Sequence, residues 1–495
     1  MADLTRIAKG AVVTFGLTVV GLGLNYLYNI LMARWLGPSL FGAYNAGLAV
    51  FNIVGLLALL GLDNAVLRYL PVVQPAALGP LARDITVLGI LSSVLIGTLT
   101  YAGHSWFIAF IDGDNYLNQI IPYFIVAVPA YVTGTIFLSI LQSQHRVHLR
   151  LVTKYLIEPI TKFAVFLGLS FFGYTLVAAL LGFIVSNFVT AMLGICGGIS
   201  LLGSTSVAGS GGASVKKRSI LRYCLPLVSG LLLSSIGTRS DVILISHLNS
   251  ASDAGLYSAA NQTAAILVII LVCVESVVAP YISDFIAKGD APGLKRLYCT
   301  SLRWVYLMGL PLFFTFEFYG RQILGIFGDQ FLEAQPCFQI LAAAQMINLA
   351  TGSANSILIF SGKSSVIMMN SALEGVLQLW LNMVLIPKYG ILGAALGGAA
   401  VMAVINILRL MEVYYIFGLH PYRPGLVRPL FLCMGIWYGL ELLGDHFERF
   451  TGFHRIAIFL LTAAVGVVLA GFEKEDWLMV RSGFQRIAFV RYVRG

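Results

Sequence analysis

Apolar residues run along this chain in blocks of about 17 to 25, each close to the length that crosses a hydrocarbon core of about 30 Å as a helix. Fourteen blocks are predicted, at roughly 10–34, 44–68, 84–110, 120–142, 153–172, 176–201, 221–246, 259–282, 298–320, 336–360, 365–387, 391–416, 427–443 and 455–471. They are continuously apolar and lack the period-two alternation of barrel strands, so the expected fold is all-α and polytopic. The opening MADLTRIAKG has no small-residue cleavage site and leads into a block too long for a signal-peptide core. It reads as a retained first helix.

Composition agrees with the pattern. Of 495 residues, 58% are hydrophobic and 11% charged, and the mean hydropathy is +0.88, which excludes a soluble domain. With the N-terminus inside, 25 of the 31 Lys and Arg fall on inner loops and flanks and 5 (Arg34, Arg321, Lys388, Arg449, Arg455) on outer ones, Arg239 remaining inside a helix. That bias predicts cytoplasmic termini and an even number of spans. Topology thus accounts for the net charge of +9, and no nucleic-acid partner is needed. The six cysteines are scattered without C-x-x-C spacing, so neither disulfides nor zinc is implied. His145 and His148 sit in a basic loop with no carboxylate or cysteine beside them to complete a metal site.

Sliding the chain along itself by about 212 to 216 positions reveals a repeat. ILMARWLGPSLFGAYNAG (30–47) aligns with ILISHLNSASDAGLYSAA (243–260), matching Gly42 to Gly255 and Tyr44 to Tyr257. DNAVLRY (63–69) aligns with ESVVAPY (275–281), placing Asp63 on Glu275, and GYTLVAALLG (173–182) aligns with YGILGAALGG (389–398) with Glu158 on Glu374. A six-helix unit is even, so both copies share one orientation and are related by an axis along the membrane normal. The expected organisation is a lobe of helices 1–6 over 1–202, a flexible cytoplasmic linker over 203–218 containing GSTSVAGSGGASV, and a lobe of helices 7–12 over 219–418. Helices 13 and 14 follow over 419–475, outside the repeat. The basic amphipathic tail over 476–495 has Arg481, Arg486, Arg491 and Arg494 among Trp477, Leu478, Phe484, Ile487 and Val490. Such a tail suits either an anionic leaflet or a plain positive-inside anchor.

The 6 + 6 + 2 organisation and the phrases ARWLGPSLFGAYNAG, GLDNAVLRYLP and DVILISHLNSASDAGLYSAA resemble the Wzx-type polysaccharide-lipid flippases of the multidrug/oligosaccharidyl-lipid/polysaccharide exporter superfamily. The resemblance implies translocation of an undecaprenyl-diphosphate-linked oligosaccharide from the cytoplasmic to the periplasmic leaflet of a bacterial inner membrane, by alternating access between the two lobes. It also implies the bilayer and a polysaccharide polymerase with chain-length machinery as partners, and no cofactor beyond a candidate coupling proton or sodium ion. A lipid II flippase and a cation-coupled multidrug antiporter of the same superfamily are the alternatives. A membrane-bound polymerase or ligase fits less well, because every outer loop is short and no catalytic constellation stands out.

An ionisable residue inside a span marks a functional site by default. Arg239 is the first candidate for the diphosphate, since its fork donates two hydrogen bonds and its charge persists at working pH. Asn25, Tyr26, Asn29, Asn52, Asn261 and Gln262 are candidates for sugar hydroxyls or for bonds between helices. Asp241, about 200° around the helix from Arg239, suits either pairing with a neighbouring helix or ion coupling. Asp63 and Glu275 occupy equivalent places in helices 2 and 8. They suit either proton coupling or a polar contact at a helix end, with Arg68 the expected neighbour of Asp63. Arg409 and Glu412 are three apart and expected to pair, and Arg34 with Trp35 reads as an interface anchor.

Overall fold

A computed structural model describes residues 2–73, 75–111, 116–144, 146–173, 175–203, 217–422, 424–442 and 452–471. The linker residues 204–216, the tail 476–495 and His145 lie outside the described residues. Every regular element described is helical, and each of the fourteen apolar blocks falls on helix. Among the described residues, eight helices are long and apolar enough to cross a membrane. The chain is an all-α polytopic membrane protein.

Some blocks are joined without a loop. Helix α1 (Ala2–Leu59) carries the first two blocks and turns at Gly37, whose φ of 70° and ψ of 173° would strain any residue with a β-carbon. Pro38 follows and withholds a backbone donor at the same place. The second block then breaks again at Leu60 (φ 51°) and Gly61 (φ 68°), so that α2 (Leu62–Tyr69) starts afresh with Asp63 in its first turn. There follow α3 (Pro75–Ile111), α4 (Tyr116–Ser143), α5 (Val147–Val152), a π-helical turn (Thr153–Ile157), α6 (Glu158–Ser170) and α7 (Thr175–Gly203). The second half comprises α8 (Lys217–Leu248), α9 (Ala251–Ala264), α10 (Ile266–Lys288), α11 (Ala291–Leu324), α12 (Gln335–Thr351), α13 (Ala354–Phe360), α14 (Ser364–Phe417), α15 (Arg428–Leu442) and α16 (Gly452–Gly471). Helix α14 holds blocks eleven and twelve, turning at Gly390.

The chain forms two compact units, residues 1–258 with 371–394, and residues 259–370 with 395–495. The first unit takes in α8, the start of α9 and residues 371–394 of α14. Glycines let them pack there. A β-carbon on Gly42 would meet the carbonyl oxygen of Ala251 and the nitrogen of Gly255, and one on Gly255 would meet the carbonyl of Pro38 and the nitrogen of Gly42. Backbone thus touches backbone at two positions that the repeat makes equivalent. Gly237 of α8 meets Gly375 in the same way.

The first unit has an aromatic core, with Phe51 edge-on to Phe183 at 4.8 Å and Phe124 against Phe183 at 5.0 Å. Trp35 is 43% exposed and lays one face near Phe166 at 5.4 Å, as an interface anchor would. In the second unit α11 is the buried spine. Its Phe318 stacks on Trp437 of α15 at 4.2 Å and meets Phe459 of α16 at 5.9 Å. Blocks thirteen and fourteen, outside the repeat, therefore cover one side of α11.

Candidate functional site

Helix α8 carries two charges, Arg239 and Asp241, within its apolar run. One face, bearing Gly237 and Ser240, is sealed: the Ser240 hydroxyl donates to the Gly237 carbonyl at 2.9 Å and accepts from the Asn382 amide at 3.0 Å. Asn382 in turn accepts from Gln378 at 3.0 Å, so a buried polar chain fixes the helix. On a second face Asp241 is 7% exposed. One of its oxygens accepts the Tyr257 hydroxyl at 2.6 Å and the other the Val242 N–H at 2.7 Å. Arg239 lies on neither face. Its side chain is exposed, and its charge acts on Asp241.

The repeat explains the Asp241–Tyr257 pair. At an offset of 213 these residues fall on Tyr28 and Tyr44, which also interact with one another in the buried interior of the first unit. The same two positions meet in both copies, once as Tyr–Tyr and once as Asp–Tyr. This geometry is that of an acid fixing one helix to the next, one of the two uses expected for Asp241.

The other candidate polar groups divide between the units. Asn25, Tyr26, Asn29, Asn52 and Asp63 belong to the first unit, and Asn261, Gln262 and Glu275 to the second. Asn25 donates to the Gly21 carbonyl at 3.1 Å and Asn29 to the Asn25 carbonyl at 2.8 Å, each one turn back on its own helix. Each of these two candidate sugar-binding amides thus spends one N–H on its own backbone, leaving the second N–H and the amide oxygen for a hydroxyl. Tyr26 and Asn52 are half-buried, as are Asn261 and Gln262.

Asp63 departs from expectation in its neighbour. It accepts from Asn64 at 3.1 Å, and Arg150 is a cation whose field reaches it. Arg68 instead lays its guanidinium 4.2 Å from the Tyr223 ring centroid, with Tyr69 at 5.6 Å. Asp63 and Arg68 are five apart in α2, about 140° around the helix, so they do not share a face. Glu275 accepts the Ser356 hydroxyl at 2.6 Å, and the Arg409 charge acts on it. Glu412, expected beside Arg409, receives the Asn370 amide at 2.7 Å.

A further charged group was not singled out from the sequence. Glu158, 7% exposed, holds Lys154 through one oxygen and Lys162 through the other, both at 2.7 Å. Lys154 lies 5.9 Å from the Tyr131 ring centroid and Lys162 5.4 Å from that of Phe183. The four-residue spacing was legible, but the two lysines were counted with the basic loop before them and read there as topology. Among the described residues no group of three His, Cys, Asp or Glu side chains could hold a metal ion.

Comparison with known proteins agrees with this architecture. Residues 7–286 match the family model described as polysaccharide biosynthesis protein, and residues 226–384 match the MatE model. The probable low-salt glycan biosynthesis flippase Agl15 of Haloferax volcanii is 26% identical over 414 residues, covering 81% of this chain and 82% of that protein. Among solved structures, the lipid II flippase MurJ in an inward closed conformation superposes with a TM-score of 0.74 at 12% identity, over 96% of this chain and 99% of that one. An inward-facing multidrug resistance MATE family transporter gives a TM-score of 0.64 at 13% identity, over 82% and 98%.

Proposed function

Because the chain belongs to the polysaccharide biosynthesis protein family, within the multidrug/oligosaccharidyl-lipid/polysaccharide transporters, we propose that it flips a glycan carried on a polyprenyl diphosphate across the membrane. The carrier is undecaprenyl diphosphate, the destination a surface polysaccharide, and the direction cytoplasmic to external leaflet. Such a substrate poses a specific physical problem. Its tail can stay in lipid, but a diphosphate and many hydroxyls cannot cross hydrocarbon bare. The protein has to offer a wet, cationic path, and alternating access between lobes supplies one that is never open to both sides.

The observation that supports this reading is Arg239. It stands exposed on an apolar helix whose other two faces are fixed by the Gln378–Asn382–Ser240 chain and the Asp241–Tyr257 bond. A guanidinium there is free to grip phosphate oxygens in a bidentate manner. The glycan flippase relative supports a sugar-lipid substrate, whereas the likeness to drug exporters and to the lipid II flippase is one of fold.

The test uses the full chain reconstituted in liposomes with a fluorescent undecaprenyl-diphosphate oligosaccharide, translocation being read by quenching from outside. Arg239→Ala should lower the rate at least tenfold, the loss of a charge-assisted hydrogen bond of about 1.5 kcal/mol or more, while insertion and melting temperature hold. Arg239→Lys should recover part of the rate, a point charge replacing a fork. Wild-type translocation by a well-folded Arg239→Ala protein removes the diphosphate role.

A further inference from the structure

The charges at 150, 154, 158 and 162 recur every fourth residue along α5, the π-helical turn and α6, as Arg, Lys, Glu and Lys. Residues four apart share a helix face, so these form one stripe. Its later half, Glu158 and Lys162, faces the interior of the first unit, while Lys154 reaches the surface. Glu158 is buried, the Lys162 side chain is 12% exposed, and the aromatic rings beside the two lysines come from α4 and α7. Ile160, on the opposite face, is 51% exposed and apolar as a lipid-facing residue should be.

The charge does not balance. One carboxylate is shared by two ammonium groups. Among the described residues, adding Arg150 and the Asp63 on which it acts gives three cations and two anions along this stripe. An excess cation within an apolar bundle is costly unless an anion answers it. Its accessible end is Lys154, whose side chain is 44% exposed while Glu158 is nearly enclosed. Glu158 and the Tyr131 ring hold the Lys154 ammonium in place, and Lys162 holds Glu158. The stripe also starts at the end of its span that the Lys/Arg bias assigns to the cytoplasm, where a cytoplasmic substrate would enter.

We propose that Lys154, with Arg150 one turn before it, is a phosphate-contacting site of the first unit that receives the diphosphate of the lipid-linked substrate, with Glu158 and Lys162 as its positioning residues. The inference rests on the glycan-lipid reading above and names a second contact for the same anionic group, besides Arg239.

The experiment measures binding of two probes to the full-length protein in detergent, undecaprenyl diphosphate without sugar and the uncharged alcohol undecaprenol, at low and high salt. Wild type should prefer the diphosphate, and less so at high salt. Lys154→Gln should weaken diphosphate binding about tenfold, as loss of one charged hydrogen bond does, and leave undecaprenol binding as in wild type; Lys154→Arg should retain the preference. Glu158→Gln, which frees the ammonium without removing it, should lower the preference while keeping its salt dependence, an effect a purely structural role would not produce. Arg150→Gln applies the same test at a second position if Lys154→Gln does not purify. A wild type that prefers the diphosphate together with Lys154→Gln and Arg150→Gln variants that prefer it equally overturns the inference and leaves the Arg239 reading standing. A wild type without preference between the two probes, and without translocation of the sugar lipid, overturns the glycan-lipid reading itself.

Discussion

At the scale of single residues, the charges within the spans sort by what their neighbours leave free. Asp241 uses both oxygens on Tyr257 and its own turn, whereas Arg239, two positions away, keeps its guanidinium exposed. Tyr257→Phe should therefore lower stability by about 1.5–3 kcal/mol, the range for a lost hydrogen bond to a carboxylate. Asp241→Asn keeps an acceptor for the tyrosine but turns its NH2 toward the Val242 N–H, so it should cost a comparable amount. Thermal melting in detergent measures both variants, and an unchanged melting temperature for either would show that this pair does not stabilise α8. Both residues were visible in the sequence as an apolar run interrupted by Arg and Asp. Their partners were not, because the hydroxyl on Asp241 comes from the next helix and no pattern along one strand of sequence reports contacts across a turn of unknown angle.

At the scale of elements, helix existence was legible and helix continuity was not. Apolar length predicted every block, since burial in lipid demands it. The breaks inside blocks depend on backbone angles at Gly37, Leu60, Gly61 and Gly390, and the one at Leu60 and Gly61 falls inside a single predicted block despite Asp63 and Asn64 just after it. The π-helical turn at Thr153–Ile157 was silent in the sequence. Its effect is geometric. In a regular α-helix residues four apart are offset by about 40°, so four charges at that spacing would spread over about 120°; a wider turn takes up part of that drift. Inserting one alanine after Leu156, which the wide turn has no further room to absorb, should swing Arg150 and Lys154 about 100° away from Glu158. The expected outcome is a lower melting temperature and a lost preference for undecaprenyl diphosphate over undecaprenol. Retention of both would show that the turn does not set the phase of the stripe.

At the scale of the whole molecule, the repeat was the most informative signal in the sequence, because it paired residues 213 apart. It predicted equivalence and missed contact. Gly42 and Gly255 were aligned as counterparts, but nothing in an alignment of two copies says that the counterparts touch; that follows from the backbone approach at both glycines. Either substitution to Val should displace that approach. A shared melting deficit of about 1–3 kcal/mol is expected for each, the usual range for overpacking, and the double variant should fall short of the sum, since sites in contact are not additive. Additive losses would place the two glycines in separate contacts. There is a consequence for inheritance. When a gene doubles and its halves come to rest against each other, most positions are released to diverge, as Tyr28 and Asp241 have done. A position that leans on its own duplicate is not released. Each glycine is held by the other's main chain, which no compensating side-chain change can move, so neither copy can drift and neither can rescue the other.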